Sequence, residues 1–493
     1  MKKFFVYAMI GLIFIIGLNP TIAYALPAGD WASGIKIQNL DPANAANLAV
    51  DLYDEEGTLE ISITTTANGN PLIAPIGGSI ELYMPAYVSV PSGQYSAVVS
   101  SSTAVGAVVT STNYESGMAD SYASMEPSTA ISIPYVYHNH NHYHTEITLL
   151  NTTNNEATVV VNFKEPSSSV AFGDSGSHEK SINITIAGNG SITIDTSTAQ
   201  FNDLGWFIGA ASLTSTQPLT AVANQYRVVG SGDTKGNLMI SSRGLSSADS
   251  GTQLVVPSLY KQFIGASGTW QSGITIQNPN DSTASVQVVF TADPDMPAWT
   301  GTKSLTINAN DSVELYLPGV ILDSEDPIPD MFKGSAIITS DVSIVANVQH
   351  TNYSGANGYG VGMGYTAFSQ GGKKLSLPSL YNWPSGAGVW ISGIKVQNLT
   401  SNDVVFKATF VPDPDSVSQY SGTASNIALS GNGATELYFG VAFLDGGKAI
   451  PSGWKGSAII EVTAGDSDIA ATVIHTNYGR HVANMYTAIV IPE

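Results

Sequence analysis

"WASGIKIQN" occupies residues 31–39, "WQSGITIQN" residues 270–278 and "WISGIKVQN" residues 390–398. A phrase repeated at such distances is either a copied catalytic motif or the opening line of a copied fold. Its own pattern favours the second. Ile274, Ile276 and Asn278 alternate with Gly273, Thr275 and Gln277, the period of two that marks a β-strand with one buried face. Trp270 shares parity with the two isoleucines, so indole and isoleucines are expected to face the core together. The alternative is an exposed aromatic platform for sugar stacking.

Other landmarks recur in step with the phrase. Downstream of each copy come "SIELYMP" (79–85), "SVELYLP" (312–318) and "ATELYFG" (434–440). After these come "YSAVVSS" (95–101), "GSAIITS" (334–340) and "GSAIIEV" (456–462), then "TSTNY" (110–114), "QHTNY" (349–353) and "IHTNY" (474–478). A divergent copy opens with "YHTEITLLN" (143–151), Tyr143 replacing Trp, and continues with "SITIDTS" (191–197) and "GAASLTS" (209–215). Polar joints at 125–130, 246–251 and 369–374 separate the copies. A period of about 120 residues is too long for a solenoid turn or propeller blade and suits a small domain.

The segments between landmarks are short, rich in Val, Ile, Thr and Tyr, and punctuated by Gly, Asn, Asp, Pro and Ser. The expected fold is therefore all-β: four tandem immunoglobulin-like β-sandwiches of seven or eight strands each. The expected boundaries are 26–128, 129–250 (divergent, with a His-rich loop), 251–372 and 373–493, arranged as beads on a string. Residues 1–25 read as a signal peptide. Lys2 and Lys3 precede an apolar run, Asn19-Pro20 break it, and Ala23-Tyr24-Ala25 supply a cleavage site. The run is shorter than a membrane span needs, so the mature chain is expected to be secreted, with no transmembrane segment.

Composition narrows the function classes. The chain of 493 residues carries 18 Lys and Arg, a formal charge of -21 and no cysteine. Disulfides, thiolate metal sites and cysteine nucleophiles are excluded. Without a basic patch, nucleic acid is not an expected partner. The candidate ligand cluster is "HNHNHYHTE". His138, His140, His142, His144 and Glu146 share one parity, and on an extended strand they would line one outer face. Histidines at i and i+2 can chelate Zn²⁺ or Cu²⁺ given a third ligand. The plainer reading is a polar loop.

The acidic turns "YDEEG" (53–57), "KEP" (164–166), "TADPD" (291–295) and "VPDPD" (411–415) offer carboxylates for Ca²⁺. None has a D-x-D-x-D-G loop, and solvated hairpin turns account for them as well. Glu81, Asp195, Glu314 and Glu436 recur on one strand and read as a solvated face. "GDSG" (173–176) contains a serine-protease tetrapeptide around Ser175, with no base and acid placed to serve it. His350 and His475 stand where the first copy has Ser111, which argues for hydrogen bonding over catalysis.

Units that open W-x-S-G-I-x-(I/V)-Q-N, with Val-rich strands, an acidic turn and a G-S-A-I-I strand, resemble secreted tandem β-sandwich proteins of prokaryotic cell envelopes, surface-layer-like and adhesin-like. The resemblance implies a fold and a surface location and brings no functional residues. The expected function is a non-enzymatic extracellular structural or adhesive protein. Its partners would be like subunits, other surface proteins or polysaccharide. The alternative is a metal- or carbohydrate-binding protein that uses the His-rich segment.

Overall fold

The computed structural model describes residues 8–12, 30–166, 179–229, 236–265, 268–353, 360–385 and 388–492. It is all-β, built of antiparallel sheets with a few short 3₁₀ turns. The second repeat shows the plan. In one sheet the opening strand Ser128–His138 and the strand Ala157–Lys164 flank the first half of a long strand, Phe207–Arg227, and Glu179–Ile186 forms the outer edge. In the other sheet the phrase strand Tyr143–Asn151 and the closing strand Leu238–Arg243 flank the second half, with Ser191–Asp195 outermost. At 21 residues the long strand exceeds the usual strand length and passes from one sheet into the other. Phe332–Asn352 does the same in the third repeat. In the first and fourth repeats the same path is split, at Tyr95–Ser101 and Val105–Asn113, and at Trp454–Ala464 and Ile469–Asn477. The opening strand of the first repeat is Ala8–Leu12, paired with Tyr95–Ser101. These residues belong to the expected leader, whose proposed cleavage site lies outside the described residues.

One face of the phrase strand builds each core. Ile35 and Ile37, Ile147 and Leu149, Ile274 and Ile276, and Ile394 and Val396 are all fully buried, each pair in its own repeat's cluster. The terminal asparagine of the phrase has a separate task. Asn278 Nδ2 donates to the carbonyls of Ser282, Ile307 and Asn308 at 2.7, 3.2 and 3.0 Å, while Oδ1 accepts from the Asn280 amide at 3.1 Å. Asn39, Asn151 and Asn398 make the same kind of bracket. A buried amide that satisfies loop carbonyls out of reach of water explains why all four copies keep it.

The other face of the phrase strand touches a neighbouring repeat, and this contact changes the architecture. The expected string of beads is instead a closed head-to-tail ring. Gln94 of repeat one bonds Thr193 of repeat two at 3.0 Å. Gln277 of repeat three bonds Ser212 of repeat two at 2.9 Å, and Gln253 of repeat three bonds the Leu399 carbonyl of repeat four at 3.0 Å. Repeat four then returns to repeat one, where Lys36 meets Asp413 at 2.6 Å and Ser376 donates to Gln38 at 2.5 Å. The closing strands Met118–Ala123, Leu238–Arg243, Val361–Thr366 and Val482–Thr487 pack against one another at the centre. Gly364 permits one of these approaches, because a Cβ there would stand 2.6 Å from Ile240 Cγ2.

Two stability outcomes follow from these contacts. Asn278→Ala strips three loop carbonyls of their donor and should cost about 2–3 kcal/mol, read from denaturant unfolding. Lys36→Met leaves Asp413 buried without its cation and should cost about 3–5 kcal/mol, whereas Lys36→Met with Asp413→Leu should recover most of that loss.

Candidate functional site

The carboxylates of the "ELY" strands stand at the seams of the ring, where Glu81 and Glu314 are half-buried and Glu436 stays exposed. Glu81 accepts from Lys455 Nζ at 2.8 Å and from Tyr381 Oη at 3.1 Å, both in repeat four. Glu314 accepts from Tyr135 Oη of repeat two at 2.7 Å, and Glu436 pairs with Lys333 of repeat three at 3.0 Å. Asp195 departs from the pattern, since its donors are of its own repeat: Tyr226 Oη at 2.9 Å, and the Ser197 amide and hydroxyl. Gly34, Gly273 and Gly393 of the phrase lie beside these acids, where an added Cβ would sit 3.4–3.7 Å from the carboxylate oxygen. Burial pushes the Glu81 carboxyl up, but Lys36 and Lys455 outweigh it and hold it below the usual carboxylate value. Glu314, which has a tyrosine and no lysine, is raised by burial.

The seam between repeats four and one opens into a cleft of about 800 Å³, within the range of small-ligand sites. Repeat four supplies Trp383 and Trp390, directly opposite each other across a hairpin, so that both side chains stand on one face. Lys455 Nζ lies 5.5 Å from the centre of the Trp383 ring and 2.8 Å from Asp415 Oδ2. Repeat one supplies Tyr83, Tyr87 and Tyr114, and a hairpin tip bearing Asn68 and Asn70. The Trp390 indole N–H donates to Tyr114 Oη at 3.2 Å and joins the two walls.

The corresponding seam between repeats two and three is filled. Tyr137 donates to Tyr135, Tyr143 and Tyr353 share a hydrogen bond at 2.6 Å, and Tyr135, Tyr137 and Tyr143 lie within one buried cluster. Equivalent positions thus hold a cleft at one seam and a tyrosine plug at another.

The phrase tryptophan joins the sandwich core in the third repeat but not in the first or fourth. Trp31 is buried, but in a small cluster with Met118 of its own repeat and Tyr226 and Met239 of repeat two. Trp270 is buried in the core cluster of repeat three, with Ile274 and Ile276, at the side where that cluster extends to Ala483 and Met485 of repeat four. Trp390 is half-buried at the cleft. Parity placed the indole on the isoleucine face correctly, but Trp lies four residues ahead of the first isoleucine, and there the neighbouring repeat covers it.

The histidine segment is not one extended strand. Asn139, Asn141 and His142 have φ of 51°, 49° and 68°, and the Tyr143 amide donates to the His140 carbonyl at 2.8 Å, so the chain turns back on itself. His138 is buried with Nδ1 2.5 Å from the Thr196 carbonyl, while His140 stacks on Tyr137. His142 is exposed in the turn, His144 packs edge-on against His138, and buried Glu146 contacts Asn224. Left-handed turn residues break the alternation that would have aligned the five. Among the described residues no group of three or more His, Asp or Glu is placed to hold a metal ion.

Two acidic turns are solvated at one carboxylate each, Asp295 and Asp415, while the other carboxylate is turned inward. Asp293 and Asp413 are buried and paired with Lys395 and Lys36 of the following repeat in the ring. Asp295 and Asp415 face Lys333 and Lys455. Ser175 lies outside the described residues. His350 is buried between Tyr260 and Tyr365, with Nδ1 bonded to Ser272 at 2.8 Å, and His475 lies between Tyr381 and Tyr486.

No protein-family model matches the sequence, and no curated protein is significantly similar to it. Among solved structures, Thermotoga maritima 1070 matches at 16% identity with a TM-score of 0.20, over 24% of this chain and 95% of that one. The Anabaena sensory rhodopsin transducer matches at 22% identity with a TM-score of 0.17, over 20% of this chain and 97% of that one. Neither similarity assigns a fold or a function.

The buried histidines set a pH dependence. Burial pushes His350 and His475 down to about 3, so the folded ring holds them neutral while an unfolded chain protonates them near 6.5. Their contribution is complete above 6.5 and is lost progressively as pH falls toward 3. Unfolding midpoints should therefore drop between pH 7 and pH 5 by more in the wild type than in a His350→Gln, His475→Gln variant. The difference should approach about 2 kcal/mol per histidine at pH 5.

Proposed function

We propose that this protein is a secreted, non-enzymatic scaffold or adhesive protein of the cell surface, whose ring presents a ligand-binding seam. The observation that carries this reading is the head-to-tail closure. Four sandwiches joined by buried ion pairs and hydrogen bonds on the phrase face form a platform with little room for relative motion. Closure of this kind uses up the seam faces and leaves loops and outer sheet edges for partners.

The groups with chemical potential are already engaged in structure. Glu81 and Asp415 are held by Lys455, and the buried histidines bond or stack within their own repeat. The acidic balance suits an exported, soluble surface. The alternative reading on the histidine segment has less support, because its rings are dispersed by a tight turn.

Immunogold microscopy of intact cells, with fractionation, tests the location, and hydrolase assays on the purified chain test the absence of turnover. Surface labelling without turnover is the expected result. A cytoplasmic pool, or hydrolysis of any substrate offered, would refute the reading.

A further inference from the structure

We propose that the cleft between repeats four and one binds a neutral saccharide chain, with sugar rings stacked on the paired indoles of Trp383 and Trp390. The inference rests on reading the protein as a non-enzymatic binding platform, and it deepens that reading by naming the site and the ligand class.

Three observations carry it. The first is shape: two tryptophans opposite each other across a hairpin place two indoles in one wall of the cleft as an apolar strip, and Tyr83, half exposed, lines it from repeat one. Pyranose rings present apolar C–H faces, and burying such a face against an aromatic plane gains both area and dispersion. The second is the polar rim. Asn68, Asn70, Thr66 and Thr112 place amides and hydroxyls around the strip, which suits a ligand whose edges are hydroxyl groups.

The third is charge. Both carboxylates in the lining, Glu81 and Asp415, are already bound by Lys455, whose ammonium also lies over Trp383. The aromatic cage therefore already contains a cation. A second ammonium would meet Lys455, an anion would meet the two carboxylates, and an uncharged ligand meets neither penalty. The seam between repeats two and three has the same ancestry in sequence, but its aromatic groups are tyrosines that bond to one another and close the space. The cleft thus differs from that seam at equivalent positions, with two indoles facing each other across its hairpin.

The test is isothermal titration of the full chain with cellopentaose, chitopentaose, xylopentaose and mannopentaose, with tetramethylammonium chloride and inorganic phosphate as charged comparators. At least one pentasaccharide should bind and quench tryptophan fluorescence. Trp383→Ala, Trp390→Ala and Tyr83→Ala should each weaken that binding roughly tenfold or more. Trp206→Ala, which removes an exposed indole in repeat two, should leave it unchanged. Tyr83→Ala keeps the test decisive if a tryptophan variant unfolds, because Tyr83 is half exposed.

Failure of all four saccharides to bind, binding that survives the cleft variants, or preferential binding of tetramethylammonium or phosphate would each overturn the proposal. Chromatography of the saccharide after incubation separates the two readings. An intact bound sugar supports both. A sugar that binds and is cleaved refutes the non-enzymatic reading and leaves the site standing. Absence of binding on a surface-located protein removes only the site.

Discussion

The phrase strand has two faces, and the rest of the molecule follows from both being covered. Isoleucines on one face close each sandwich. On the other, glycine, lysine or threonine, and glutamine meet the neighbouring repeat. A strand buried on both sides must pair every polar group it carries, since a lone buried charge costs several kcal/mol. Lys36 with Asp413 and Lys395 with Asp293 meet that demand between repeats. The phrase is conserved within the chain because it serves the core and the seam together.

Closure of the ring carries a further consequence. Each seam joins one repeat to the phrase face of the next, so the fourth repeat must find in the first what the third finds in the fourth. It does so with a set of five charges, Lys36, Lys455, Glu81, Asp413 and Asp415, which matches Lys395, Lys333, Glu436, Asp293 and Asp295 at the seam between repeats three and four. The same place holds the cleft. A seam secured by ion pairs deep in the interface can leave its aromatic margin open, whereas the seam between repeats two and three, with Thr275 in place of lysine, is packed by tyrosines instead.

Parts of the site could be read from the chain. The "ELY" and "TNY" tyrosines recur in step with the phrase, and Tyr83 and Tyr114 of these landmarks line the cleft. The two tryptophans of "WPSGAGVW" are close enough in sequence to share a hairpin. Their juxtaposition with Tyr83 was not legible, because it depends on repeat four meeting repeat one across some three hundred residues. The histidine alternation misled for a local reason. Asn139 and Asn141 are residues that tolerate the left-handed region, and a period of two has meaning only while the backbone stays extended.

Sequence alone determined the all-β class, the repeat length and the inward face of each isoleucine pair, because alternation and turn residues are local properties. It showed the phrase asparagine recurring at each strand end, and the structure supplied its task of bracketing the adjoining loop and hairpin. Only the tertiary structure decided that the "ELY" acids meet a neighbouring repeat, that the phrase lysines have partners, and that the chain closes on itself. Those facts rest on which surface meets which, and a carboxylate alternating with apolar residues looks the same whether water or a neighbouring lysine covers it.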